Sequence, residues 1–338
     1  MKYNLLGNTG LKVSELCLGT MTFGGKGFWT AIGTLDQNAV DQLVKKSVDG
    51  GINFIDTANV YSEGLSEEMT GKAIRNLGLN RDDLVIATKV RGKMAEGPNG
   101  SGLTRKHILH EIDASLTRLN LDYVDLYQIH GFDALTPLEE TLDTLDGLVK
   151  SGKVRYIGCS NLAAWQIMKS VDYSSYNRLA KFVSLQAYYT LAGRDLEREI
   201  IPVLKDQNLG LMVWSPLAGG LLSGKYKRNG ENEGGRRVNF DFPPVHKDRA
   251  FDVVEALEPI AKEKGVSVAQ LALAWLLHQS AVTTVIIGAN TTEQLADNLN
   301  ATNVTFTPDE LAQIDAVSKL PAEYPGWMLE RQGADRVR

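Results

Sequence analysis

Cysteine is nearly missing from this chain: Cys17 and Cys159 are the only two in 338 residues. Both lie inside apolar runs, which excludes a disulfide-stapled scaffold and fits buried thiols in a reducing compartment. A basic excess is missing too. Lys and Arg total 36 against 41 Asp and Glu, a formal net charge of -5. The chain therefore lacks the cationic surface of a nucleic-acid binder or of a protein drawn to anionic membranes. No apolar run is long enough to span a bilayer. The most apolar helical stretch, Val268 to Leu277, is about half of the ~20 residues needed. The first eight residues have no apolar core and no small-residue cleavage site, so a cytoplasmic protein is expected.

Several chemical signatures are also absent. No G-x-G-x-x-G turn occurs, which argues against a two-domain dinucleotide-binding fold. There is no G-x-S-x-G elbow and no H-E-x-x-H metal helix, and no metal is expected. The run from Gly219 to Tyr226 approaches a phosphate-binding G-x-x-x-x-G-K loop. Tyr226 replaces the Ser or Thr that would hold magnesium.

What the chain does have is alternation. Short β-rich runs at Glu15–Gly19, Ile52–Asp56, Leu84–Lys89, Val124–His130, Val154–Ser160, Phe182–Gln186, Gly210–Ser215 and Thr284–Gly288 are separated by amphipathic helical patterns. The helices predicted include Asn38–Gly50, Ser66–Leu77, Thr104–Leu119, Leu138–Ser151, Leu162–Val171, Leu196–Gln207 and Thr292–Asn300. Eight strand–helix units predict an α/β fold, a (β/α)₈ barrel, as one domain over residues 1–338. Tyr3–Leu6 and Leu11–Val13 read as an N-terminal β-hairpin that plugs the barrel bottom. Ala218–Lys247 reads as a long functional loop after the seventh strand.

Chemistry in such a barrel gathers at the C-terminal ends of the strands. Those ends carry Asp56, with Tyr61 in the loop beyond it, then Lys89, His130, Ser160-Asn161, Gln186 and Trp214-Ser215. Each taken singly could be a cap, a loop aromatic or a solvated end. At successive strand ends they converge on one mouth. An acid, a phenol, an ammonium and an imidazole together support proton transfer to a carbonyl oxygen. Lys89 would lower the phenol pKa from its usual value near 10, and Asp56 would hold Lys89 charged. No residue of this set supplies a reductant, so a hydride must come from a bound cofactor.

These residues carry a resemblance. The sequence resembles an aldo-keto reductase in G51-I-N-F-I-D-T-A58 followed by Tyr61, in Thr88-Lys89, in D125-L-Y-Q-I-H130 and in G152-K-V-R-Y-I-G-C-S-N161. Gln186 and Ser215-Pro216-Leu217 continue the match, which runs from Leu5 to about Asn298. The resemblance implies a (β/α)₈ barrel with a nicotinamide cofactor extended across its top. It implies Asp56, Tyr61, Lys89 and His130 as a catalytic tetrad with Tyr61 the proton donor. Ser160, Asn161 and Gln186 would hold the nicotinamide carboxamide, and Trp214 would stack on the ring. Ser215, Pro216, Leu217 and Gly219 would clasp the pyrophosphate. Gly288, Thr291, Gln294 and Asn298 would wrap the adenosine half, and Gly19, Thr20 and Met21 complete the cofactor set.

One departure matters. Many family members carry Lys and Arg where this chain has Gly288 and Gln294, and those cations hold the 2′-phosphate of NADP. Lys225, Arg236 and Arg237 in the long loop are the candidates to replace them. NADPH is expected, with NADH as an alternative. The partner expected is a small-molecule carbonyl substrate, with no nucleic acid and no membrane. Phe28, Trp29, Arg91, Phe132 and Phe240 of the rim loops, with Tyr324 and Trp327 of the tail, suggest a pocket for aryl or medium apolar carbonyls. Other readings of the same residues are a nicotinamide-binding subunit without turnover, and an aldolase or isomerase using Lys89 as a Schiff-base nucleophile. The oligomeric state is not written in the sequence.

Overall fold

A strand buried on both faces has no side to offer water, and its sequence reads as a continuous apolar run. Val85–Val90 and Val124–Ile129 approach this, with every residue buried and Thr88, Lys89, Asp125 and Gln128 as the polar exceptions. The computed structural model of the chain describes residues 1–228, 230, 237 and 240–336. Its strands are β1 (Tyr3–Leu5), β2 (Lys12–Ser14), β3 (Leu16–Gly19), β4 (Phe54–Asp56), β5 (Val85–Val90), β6 (Val124–Ile129), β7 (Val154–Ser160), β8 (Phe182–Tyr188), β9 (Gly210–Trp214) and β10 (Val282–Ile287). Strands β3 to β10 pair in parallel and close into an eight-stranded barrel, with β10 beside β3. This is the (β/α)₈ barrel that the alternation predicts.

Local sequence sets the helix boundaries. The helix Gln37–Asp49 starts where the Asp36 carboxylate accepts from Ala39 N, and buries Val40, Leu43, Val44 and Ser47 along one stripe. Thr104 caps Arg105–Leu119 in the same way, and Asn120, in the left-handed region, ends it. The expected helix Leu196–Gln207 divides into a 3₁₀ turn at Asp195–Glu197 and a short helix at Ile200–Asp206. Two helices outside the eight units, Pro308–Ser318 and Gly326–Gly333, follow the barrel.

The hairpin β1–β2 closes the lower end of the barrel. Leu6 and Val13 are fully buried against the inward-facing Cys17, Phe54, Val85, Ala87, Leu126 and Met212. The plug fits because Gly7 turns with φ +57 where an added Cβ would lie 2.1 Å from Val183 O. Gly7→Ala combines left-handed strain with a backbone clash. It should lower stability by on the order of 3 kcal/mol, read by chemical denaturation. A variant as stable as the wild type would show that the hairpin is not seated against β8.

At the upper end, register brings the polar strand ends to one level. Lys89 pairs with Gln128, Gln128 with Gly158, and Ser160 with Gln186. Among the described residues no helix is long and apolar enough to cross a membrane.

Candidate active site

Tyr61 sits five residues beyond the end of β4, on a turn that the chain has to force. Ser62 and Glu63 follow it with φ of 49 and 55, and Gly64 with φ 95. Such conformations are costly for residues other than glycine and persist only where surrounding contacts impose them. Here Ser62 Oγ donates to Phe23 O, and Ser66 Oγ donates to Thr20 O. The result turns the Tyr61 side chain inward, where it is 8% exposed.

Below it lies a buried ion pair. Lys89 Nζ donates to Asp56 Oδ2 at 2.5 Å, to Thr57 O at 2.8 Å and to Tyr61 Oη at 3.3 Å. Lys89 is fully buried. Burial opposes its charge, but Asp56 and then Tyr61 outweigh that, and its pKa stands above the ordinary lysine value. The Tyr61 phenol also stands above its ordinary value. Burial raises it more than the Lys89 cation lowers it, and Asp56 adds to the rise. Electrostatic depression by Lys89 is thus present, as the sequence suggests, but the net shift is upward and the phenol keeps its proton at neutral pH.

His130 stands edge-on to Tyr61, ring centroids 5.8 Å apart. Desolvation, then the Lys89 and Arg91 cations, push its pKa down to about 3. The imidazole is therefore neutral at physiological pH and can donate a hydrogen bond without carrying charge.

Asp56, Tyr61 and His130 line one end of a cavity of about 870 Å³, within the size range of cofactor and substrate sites. Gly19, Thr20, Met21, Ser160, Asn161, Gln186 and Trp214 continue its wall. Ser215, Pro216, Leu217, Gly219 and Lys225 follow, and Gly288, Gln294 and Asn298 lie along it too. Thr291 does not line it, but caps the helix Thr292–Asn300, accepting from Gln294 N. Trp214 Nε1 donates to Asn161 Oδ1 at 3.0 Å, and its ring lies parallel to Phe242 with centroids 6.0 Å apart.

Phe28 and Trp29 line the same cavity. Trp29 packs edge-on against Tyr61, and Phe28 against Phe240. Arg91 and Phe132 are placed differently. Arg91 is exposed on the rim and donates from Nε to Phe132 O, while Phe132 packs against Trp165 beside a separate groove.

The basic residues of the long loop also part ways. Arg237 is buried, donates to Ala218 O and Pro243 O at 2.9 Å each, and pairs with Asp241. It joins the two limbs of the loop and is not free to meet a ligand. Arg236 lies outside the described residues. Lys225 reaches the cavity, lies over the Tyr226 ring, and has no ion pair among the described residues.

The sequence alone assigns no role to Gln128, Thr57 or Phe242. Gln128 alone leaves a usable trace, an uncharged polar residue in a fully buried strand two positions before His130.

The comparisons agree with this fold. The family model described as Aldo/keto reductase family matches residues 15–319. A Bacillus subtilis protein named uncharacterized oxidoreductase YrpG is 37% identical over 326 residues, covering 94% of this chain and 96% of its own length. The versiconal hemiacetal acetate reductase of Aspergillus parasiticus is 35% identical, covering 96% of this chain and 99% of its own. A probable voltage-gated potassium channel subunit beta from Arabidopsis thaliana is 37% identical, again covering 96% and 99%. With a barrel closed in the expected order and a match over most of its length, the chain belongs to the aldo/keto reductase family, a family of oxidoreductases of carbonyl and alcohol substrates that generally uses NAD(P)H.

Proposed function

We propose that this protein, one domain over residues 1–338, reduces aldehyde and ketone carbonyls to alcohols with NADPH, and that Tyr61 donates the proton. The observation that carries this reading is the protonated, buried Tyr61 beside Lys89 and the neutral His130 at one end of the cavity. Asp56 fixes Lys89, and Lys89 fixes the phenol oxygen and stabilises the charge it gains on releasing its proton. His130, being neutral, offers a hydrogen bond to the substrate oxygen.

The cavity fits a nicotinamide dinucleotide by the chemistry of its donors. Gln186, Asn161 and Ser160 form an amide and hydroxyl set suited to a carboxamide, and Trp214 offers a ring beside it. Ser215 and Ala218, both at positive φ, bend the chain toward the cavity with Gly219 and Pro216-Leu217, as a pyrophosphate clasp requires. Gly288 has nothing within 4 Å of an added Cβ, which leaves room along the adenosine end beside Gln294 and Asn298. When bound there, the cofactor supplies the hydride. Its use in the cytoplasm suits a chain whose two cysteines are free and buried.

Phe28 and Trp29, with Phe240 behind them, make the substrate end aromatic, which favours aryl aldehydes and ketones. Arg91 and Phe132, at the rim, would meet only the outer part of a longer substrate. The Schiff-base reading is disfavoured, because a nucleophilic lysine must be neutral and reachable, whereas Lys89 is charged and sealed.

A carbonyl panel tests the reading. Loss of NADPH absorbance should require a carbonyl and match the alcohol formed mole for mole. Failure with aldehydes, ketones and sugars alike would contradict it. Cofactor choice has its own test. Lys225, alone or with Arg236, is assigned to the 2′-phosphate. A hydrogen bond to a charged group is worth about 1.5–3 kcal/mol, so Lys225→Ala should weaken NADPH roughly 10- to 100-fold and NADH little. Fluorescence titration reads both affinities. Equal loss for the two cofactors would remove Lys225 from that role.

A further inference from the structure

Lys89 engages only one oxygen of Asp56. The other, Oδ1, is held by two amides: Gln128 Nε2 donates to it at 2.9 Å and Gln186 Nε2 at 3.0 Å. The amides also meet each other, Gln186 Nε2 donating to Gln128 Oε1 at 3.2 Å. Gln128 is fully buried in β6, in register with Lys89 on one side and Gly158 on the other. Gly158 makes its space, since a Cβ there would lie 3.2 Å from Gln128 Cγ and 2.8 Å from Ser184 Oγ. A buried amide is costly unless its groups are bonded, and an aliphatic residue would fill a strand interior without that demand. Packing alone does not require glutamine here.

The orientations follow from charge. A carboxylate only accepts hydrogen bonds, so both amides must turn their NH₂ groups toward Asp56. Gln128 Oε1 is then left to accept from Gln186, and Gln186 Oε1 is left without a partner among the described residues, on a side chain that lines the cavity.

We propose that Gln128 is a positioning residue for proton transfer, orienting Asp56, and through it Lys89 and Tyr61, while fixing the amide of Gln186. The inference rests on the oxidoreductase reading above and adds a fifth residue to the set. It also ties the residue assigned to the carboxamide to the residues assigned to the proton.

The ionisable groups facing this cluster are Cys17 from β3, Lys89 from β5, Tyr61 from the loop after β4, and His130 and Arg91 at the rim. Removing the Gln128 donor leaves the Asp56 charge less screened and its carboxylate freer to turn. Both effects disfavour the phenolate, so the titration of Tyr61 moves up.

The test uses Gln128→Leu and Gln128→Glu in the full chain. Tyrosinate absorbance of each variant, minus that of the same variant carrying Tyr61→Phe, reports Tyr61 alone and needs no turnover. For Gln128→Leu this transition should move to higher pH. Its kcat for alcohol oxidation should fall on the order of 10-fold with KM for the alcohol little changed, a smaller loss than the ~10²-fold that a 1 Å misplacement can cause. The carboxyl introduced by Gln128→Glu donates to Asp56 while protonated and repels it once ionised. That variant should approach the wild type at low pH and fall behind as pH rises.

A Gln128→Leu protein with the wild-type tyrosinate transition and pH profile would overturn the proposal. If Gln128→Leu does not fold, Gln128→Glu tracking the wild type at every pH overturns it. A wild-type protein that oxidises no alcohol would defeat the oxidoreductase reading instead, and the tyrosinate transition would still decide the place of Gln128.

Discussion

Tyr61→Phe should lower kcat for carbonyl reduction by ~10²-fold or more, with NADPH affinity unchanged. The substitution removes one oxygen and keeps the ring, so the edge-on contacts with Trp29 and His130 persist. What disappears is the one acidic proton at this end of the cavity held above its ordinary pKa and close to an ammonium. His130 cannot replace it, because a group with a pKa of about 3 carries no surplus proton at neutral pH. Steady-state kinetics beside a cofactor titration separate the two readouts. A Tyr61→Phe enzyme near the wild-type rate would transfer the proton role elsewhere.

The second large effect belongs to Lys89→Met. Lys89 lowers the Tyr61 pKa through its charge and its hydrogen bond, against the larger opposing effect of burial. Removing the ammonium deletes both favourable contributions and leaves Asp56 uncompensated, which raises the phenol further. On the proposed mechanism the phenolate is the base in alcohol oxidation, so the apparent pKa of that direction should rise, each unit amounting to about 1.36 kcal/mol. The variant's rate should keep climbing with pH where the wild type has levelled off. Stability falls too, by about 3–5 kcal/mol for a broken buried pair. A melting curve must therefore show that the variant is folded at the assay temperature. An apparent pKa unmoved or lowered would leave Lys89 a structural role only.

Much of this is legible in the sequence. Parallel strands buried on both faces are written mainly in apolar residues, so the barrel strands stand out, and polar residues at their ends stand out as exceptions. Asp56, Lys89 and His130 are visible for that reason and Tyr61 by its place in the loop beyond β4, and the structure brings Asp56, Tyr61 and His130 to one cavity with Lys89 beneath. The helix Pro308–Ser318 carries a local signal too, a Thr307 cap with Glu310 three residues on and proline at its first position. The sign of the Tyr61 shift was not legible, because desolvation depends on what packs around the ring and no local pattern encodes that. Nor was the fate of Arg237. Its neighbour Arg236 reads identically in sequence, and only the return of the loop past Ala218 and Pro243 shows that Arg237 is engaged within the loop itself.

The central claim is that the carbonyl carbon receives a hydride from the nicotinamide while the oxygen receives its proton from Tyr61. Reduction of an aryl aldehyde with NADPH deuterated at the transferred position, in ordinary water, tests this most directly by mass spectrometry of the alcohol. The account predicts one deuterium on the carbinol carbon in every product molecule, and none on that carbon when unlabelled NADPH is used in heavy water. An alcohol formed without label, or with carbon-bound deuterium drawn from the solvent, would contradict it.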